Sequence, residues 1–201
     1  MEGGITVYRQ CTSEKTAAQQ RTFEEAMLNA MCENSYENIS VSDLCRQVGL
    51  SRKTFYRLYD SKSDVIYALL DHTILDAETY IPDESVGPGG MHQFFAFWRS
   101  KERVLDALKN NRISSLLQQQ AIIHVLNESP EIVKCFGADD SSTRREMVMF
   151  YLSGLFALVQ DWHERGFDRS IDQMSRLAME LFMTPPVKEP LRANPWFTGK
   201  K

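Results

Sequence analysis

Between Arg46 and Lys62 the charged side chains are Arg46, Arg52, Lys53, Arg57 and Lys62, against Asp60 alone. Hydroxyls are interleaved with them at Ser51, Thr54, Tyr56 and Tyr59, and Ser40 lies just upstream. Guanidinium and ammonium groups donate hydrogen bonds to phosphate oxygens and to the acceptor edges of bases, and hydroxyls serve the same oxygens. The chain as a whole is acidic, with a formal net charge of -4, whereas a nucleic-acid binder often has a basic balance. A phosphate, however, responds to charge within about one Debye length, roughly 8 Å at physiological salt. The overall sign therefore describes the bulk of the chain and not this stretch.

Other chemistries find little support. The sequence has no Gly-rich phosphate loop, no metal-ligand cluster and no G-x-S-x-G elbow, so we expect no enzyme and no cofactor. His72, His92, His124 and His163 show no ligand spacing, and scattered surface or capping histidines are the simpler reading. Asp161, His163 and Glu164 crowd one helical turn, where solvated charges are the sensible account. Cys11, Cys32, Cys45 and Cys135 form no C-x-x-C pair. With no signal peptide in view, they suggest free thiols in a reducing cytoplasm. The longest uncharged run, Met147 to Gln160, is shorter than the roughly 18 residues of a membrane span and reads as buried helix.

The cationic stretch needs a scaffold, and its own caps supply one. Ser40 is an N-cap, and Asp43 three residues on completes a capping box. The helix so opened puts Val41, Leu44, Cys45 and Val48 on one face. Gly49 ends it, because a residue just past a helix commonly takes φ > 0. Leu50 plugs the corner, and Ser51 caps a second helix, Arg52 to Tyr59. Phe55 and Leu58 form its apolar side, leaving Arg52, Lys53, Thr54, Tyr56, Arg57 and Tyr59 to face outward. Two short helices about a glycine turn, the second studded with cations, match a DNA-binding helix-turn-helix. Spacing alone also admits an ordinary helical corner with solvated charges.

Ile39-Ser40-Val41, Leu44, Val48-Gly49-Leu50-Ser51, Thr54-Phe55-Tyr56-Arg57-Leu58-Tyr59 and Ser61-Lys62 together resemble the N-terminal domain of the TetR/AcrR family of bacterial transcriptional regulators. The resemblance is close from about Phe23 to Leu70 and extends to the remainder only in general layout. It implies an all-α fold: an N-terminal three-helix helix-turn-helix DNA-binding domain followed by a helical ligand-binding and dimerisation domain. It further implies a homodimer bound to a palindromic double-stranded DNA operator, in most cases a repressor, released by a small-molecule effector. Two reading helices would then enter successive major grooves about 34 to 36 Å apart. Arg52, Lys53 and Tyr56 are the residues expected nearest the base edges. Ser40, Thr54, Tyr59 and Lys62 are expected on phosphates, Arg57 on either, with Val41 and Ser51 completing the contact surface. Lys62 sits in the first turn of the next helix, against the helix dipole, which makes better sense beside a phosphate. The acidic balance leaves room for a different role on the same fold, a protein-binding adaptor or coactivator with weak DNA affinity.

The rest of the chain reads as helix. Met1 to about Glu14 lacks helical period and suggests a mobile arm; a helix follows from about Lys15 to Glu33, with Phe23, Ala26, Met27, Ala30 and Met31 inward. Ser61 and Asp64 open another, with Val65, Ile66, Leu69, Leu70 and Ile74, towards Tyr80. Pro82 to Gly90 breaks the pattern and is the best internal boundary. Further helices are expected around Met91 to Ser100, Ile113 to Asn127, Thr143 to Arg165 and Ser170 to Met183, with a connection at Glu131 to Ser142. We divide the chain into a DNA-binding domain with its arm (1–62), a regulatory and dimerisation domain (63–184) and a Pro-rich tail (185–201). Tyr80, Phe94, Phe95, Phe97 and Trp98 can line an effector pocket, although a plain core explains them as well. The 143–165 helix is apolar on nearly all sides and needs cover on all sides. A second copy can provide it through Met147, Phe150, Tyr151, Gly154, Leu155 and Leu158, joined by Leu177 and Leu181. A central helix in a monomeric bundle is the other possibility.

Overall fold

Ser13 opens the first helix by accepting the Thr16 amide on its side chain, and α1 runs Glu14–Glu33. A computed structural model describes residues 13–81, 88–129 and 141–183, and every regular element among them is helical. A 3-10 turn, Tyr36–Asn38, leads to α2 (Val41–Val48) and α3 (Arg52–Leu58). There follow α4 (Lys62–Tyr80), α5 (Pro88–Ser100), α6 (Glu102–Asn110), α7 (Ser114–Glu128), α8 (Ser141–Glu164) and α9 (Ile171–Met183). The expected arm up to residue 12 and the tail from residue 184 fall outside the described residues. So does most of the two connections, 82–87 and 130–140.

The boundary at Pro82 to Gly90 is shorter than its composition suggests, since residues 88–90 already belong to α5. Proline is well suited to a first helical position, where its missing N–H would have no intrahelical acceptor. The 91–108 stretch divides at Lys101 into α5 and α6.

Helices α1 to α3 gather around three rings. Phe23 meets Phe55 edge-on at 5.2 Å and Tyr59 at 6.2 Å, and Phe55 and Tyr59 lie 5.4 Å apart. Gly49 makes the turn between α2 and α3 with φ 68°. The Gly49 and Leu50 amides both reach the Cys45 carbonyl. Helix α4 then leaves this head and continues into the body, packing on α1 at one end and on α7 and α5 further along. Helix α1 also lies along α6, so the buried side chains form one cluster from Phe23 through Val65, Leu105 and Leu117 to Trp162. In the body, α9 packs most extensively along α5, and α7 along α8.

Buried polar groups in the head are paired, as they must be. The Glu24 carboxylate is enclosed; His72 Nδ1 approaches it at 2.8 Å, and the Tyr59 hydroxyl points towards it at 3.5 Å while also facing the Gln20 carbonyl at 3.3 Å. Asp64 accepts the Asp60 and Ser61 amides at 2.8 and 2.9 Å and so fixes the start of α4.

A Cβ added at Gly49 meets nothing within 4 Å, so only backbone conformation is at stake there. Gly49→Ala is expected to lower unfolding stability by about 1 to 2 kcal/mol, the cost of a left-handed non-glycine residue. In urea titration of the full chain the midpoint should fall with the slope unchanged; an unaltered midpoint would show that the turn carries no such constraint.

Candidate nucleic-acid interface

The two caps of the helix-turn-helix are built as its sequence suggests. Ser40 Oγ accepts the Asp43 amide at 3.1 Å and donates to Asp43 Oδ2 at 2.6 Å. That hydrogen bond is the main reason the Asp43 carboxyl is held below its ordinary value, with Arg46 contributing at 2.9 Å. Ser51 Oγ accepts the Thr54 amide at 3.1 Å and lies 3.0 Å from Thr54 Oγ1. Cys45 is buried below; burial pushes its thiol up, against the opposing pull of the Arg52 charge.

With Phe55 and Leu58 buried, α3 presents Arg52, Lys53, Tyr56 and Arg57 on its exposed side. Positions i, i+1, i+4 and i+5 share one helical face, so these four side chains stand together. The Arg52 guanidinium lies 6.0 Å from the Tyr56 ring centroid. The Arg57 guanidinium donates to Gln19 Oε1 of α1 at 2.7 Å, which ties α3 to the first helix. Ser40 and Ser51 are exposed at the adjoining helix starts, Thr54 is half-buried, and Val41 packs partly on the core. Tyr59 and Lys62 stand apart from this exposed set.

Two residues expected on phosphates do something else. Tyr59 is 0% exposed and packs with Phe23 and Phe55, its hydroxyl facing Gln20 and Glu24. It follows the last residue of α3 in extended conformation, and that change of backbone swings the ring inward. Lys62 is half-buried, and its ammonium donates to the carbonyls of Tyr36, Glu37 and Ile39 at 2.8, 3.2 and 2.9 Å. An ammonium has three protons, so all are engaged within the chain. The ammonium also lies 4.3 Å from the Tyr36 ring centroid.

The expected effector residues are mostly core. Phe95, Phe97 and Trp98 are buried, Phe94 is half-buried, and Tyr80 is exposed with its ring 5.7 Å from Phe97. Their rings fill the space against α8: Phe95 on Trp162 at 5.8 Å, Trp98 on Phe156 at 5.2 Å and Phe94 on Phe156 at 5.9 Å. The buried Trp98 indole N–H has no hydrogen-bond partner among the described residues. The histidines stand apart, each beside one carboxylate: His72 by Glu24, His92 by Asp172, His124 by Glu78 and His163 by Asp106. His124 Nε2 is at ion-pair distance, 3.0 Å, but off the direction of a hydrogen bond.

Of the residues expected at a dimer contact, Leu155 is buried within the chain's own core. Phe150 is 74% exposed and Leu181 is exposed, while Met147, Tyr151, Gly154, Leu158 and Leu177 are half-buried. An open apolar groove is lined by Met149, Phe150, Ser153, Gly154, Leu158, Leu181 and Phe182. The outer face is therefore centred nearer Phe150 than the apolar spacing suggests, because Val148, Leu155 and Phe156 turn inward. Ser153, beside Gly154, and Phe182, beside Leu181, lie on the same groove, and Met149 completes it; periodicity gives no way to choose Met149 over its apolar neighbours.

No protein-family model and no curated protein matches the chain. Eight chains of known structure do. One of them, named dihydroxyacetone kinase operon activator DhaS, aligns with a TM-score of 0.57 over 83% of this chain and 95% of its own length. The sequence identity is 13%, so the likeness establishes the shared fold.

Replacing Lys62 by alanine leaves carbonyls of the 3-10 turn without their donor. We expect Lys62→Ala to cost roughly 1 to 3 kcal/mol of unfolding stability, seen as a lower urea midpoint of the purified chain; unchanged stability would return Lys62 to its expected place on a phosphate. The lowered Asp43 carboxyl has a defined sign. Its contribution is present above the unfolded value of 3.8 and is lost as pH falls below it through the folded value. The stability gap between the wild type and Asp43→Asn should therefore close on acidification below that point, and a gap independent of pH would contradict this.

Proposed function

We propose that the chain is a homodimeric, sequence-specific DNA-binding transcriptional regulator of the TetR/AcrR type, acting in the cytoplasm and switched by a small-molecule effector. The observation that carries the reading is the outward face of α3, with Arg52, Lys53, Tyr56 and Arg57 raised on a seven-residue helix whose other side is anchored by Phe55 and Leu58. Arginine and lysine match the acceptors of guanine in the major groove, and the tyrosine ring suits a thymine methyl. The exposed Ser40 and Ser51, with the half-buried Thr54, are assigned to flanking phosphates, contacts that would fix register.

A single short helix reads too few base pairs for useful specificity, and a two-fold pair doubles the site. The groove beside Phe150 and Leu181 offers the apolar surface for that pairing. An exposed apolar patch of this kind marks an interaction site more often than bare surface. Effector control follows from the resemblance, and one observation favours it: the unpartnered Trp98 indole N–H, a desolvated donor suited to an acceptor on an otherwise apolar compound. The chain works as a repressor when its operator overlaps a promoter. The second reading, an adaptor or coactivator with weak DNA affinity, is favoured by the acidic balance and by the activator name of a structural neighbour.

Duplexes selected from a random-sequence library with the purified chain, then titrated by fluorescence anisotropy at several salt concentrations, separate the two. A direct binder loses affinity steeply with salt, whereas an adaptor selects no duplex. Lys53→Ala should cost about 1 to 3 kcal/mol on the selected site and relax its base preference; a loss equal on all sequences would remove Lys53 from base reading. Phe150→Glu should convert a dimer to monomers in sedimentation while leaving helix content intact, and a wild type that sediments as a monomer at all concentrations would sink the homodimer.

A further inference from the structure

The head and body meet along the seam between α1 and α6, where the exposed Cys32 thiol makes one long contact, 3.8 Å, with the Arg103 carbonyl. Arg103 reaches Glu25 and Asn29 from α6, but these are exposed side chains. Such pairs are loosely held and screened by salt. Asn111, at the corner after α6, differs because its partners are main-chain groups. Its Oδ1 accepts the Tyr36 amide at 2.5 Å, and its Nδ2 donates to the Met31 carbonyl at 3.1 Å and to the Ala107 carbonyl at 2.7 Å. One half-buried amide therefore holds the last turn of α1, the start of the 3-10 turn and the last turn of α6.

Both sides of this clamp are themselves rigid. On the body side, Arg112 adopts φ 57°, and the Ile113 amide returns to the Leu108 carbonyl at 2.9 Å, locking the corner. On the head side, the 3-10 turn whose amide Asn111 holds is the one whose carbonyls Lys62 grips, at the entry to α4. The 3-10 turn runs directly into α2 through Ile39 and Ser40. A displacement of the α6–α7 corner thus reaches the helix-turn-helix through hydrogen bonds to the main chain, without depending on a flexible side chain at the head end.

We propose that Asn111 is the positioning residue that couples the body to the DNA-reading head, so that the state of the α6–α7 corner and the occupancy of the DNA interface bias one another. The proposal rests on the DNA-binding reading above. It can be tested with no effector in hand, because coupling between two sites is reciprocal: what the body does to DNA affinity, bound DNA must do to the body. Local opening at the corner is reported by amide hydrogen exchange.

Exchange is measured on the full-length chain with and without a duplex selected from a random library by the wild type. In the wild type, the duplex should protect α2 and α3 and also change exchange at 107–117 by about fivefold or more, the low end of a typical coupling. In Asn111→Ala, protection of α2 and α3 should persist while most of the change at 107–117 is lost. Asn111→Asp keeps an acceptor for the Tyr36 amide and loses both donations, and should retain part of the change; it also serves if the alanine variant folds poorly. A wild-type corner indifferent to bound duplex, or a corner response of full size in both variants, overturns the proposal. Failure to select any duplex instead removes the reading on which it rests.

Discussion

The edge-on contact between Phe23 and Phe55, with Tyr59 closing the third side, determines what α3 can present to solvent. A seven-residue helix is too short to be stable by propensity, since isolated helices below about 12 to 15 residues are marginal in water. Its existence and its rotation are set by the rings it buries. Once Phe55, Leu58 and Tyr59 are fixed inward, the remaining positions have no freedom, and Arg52, Lys53, Tyr56 and Arg57 must stand outward together. Tyr59 is thus a condition for the exposed face and no member of it.

Lys62 shows how a tertiary contact overrides a local preference. A cation in the first turn of α4 opposes the helix dipole, at a cost of about 0.3 to 1 kcal/mol. Hydrogen bonds to a charged group contribute roughly 1.5 to 3 kcal/mol, and Lys62 makes three, to Tyr36, Glu37 and Ile39. The comparison of magnitudes explains the position without any bound phosphate. Two of those carbonyls belong to the 3-10 turn, so the ammonium acts as the cation that the negative end of one helical segment favours, placed at the positive end of another. The same clasp holds the 3-10 turn in register for the Asn111 side chain.

What the sequence discloses and what it conceals follow the range of the interaction involved. Ser40 with Asp43, Gly49, and Ser51 with Thr54 act over three residues or within one, and each is found as its spacing indicates. The all-helical architecture is equally legible, because amphipathic spacing and caps repeat along the chain. The intrachain partners of Tyr59, Lys62 and Leu155 are not legible in the spacing because they lie far off along the chain: Tyr59 on Gln20, Lys62 on Tyr36, Leu155 in the core between helices. Asn111 carries no sequence signal, since an asparagine after a helix is commonly only a cap. The aromatic run from Phe94 to Trp98 was ambiguous between pocket and core because both need the same side chains, and the ring contacts with Phe156 and Trp162 assign most of it to core.

The shared core also restricts how a body of this kind can influence its head. Helix α1 belongs to both, packing on α2 and α4 at the head and along α6 towards the body, while α4 runs from one into the other. Among the described residues the buried cluster is continuous from Phe23 to Trp162, so packing does not break between them. Close-packed interiors transmit displacement and do not absorb it. A shift of α6 must therefore either carry α1 with it or open a gap at Met27, Met31, Leu105 and Leu108, all of them buried. Opening a cavity of even one side chain costs kilocalories, whereas exposed pairs such as Arg103 with Glu25 can re-form at little expense. Movement of the head and the α6 seam as one packed unit is consequently the cheaper path, and the orientation of α3 becomes a property of the whole chain.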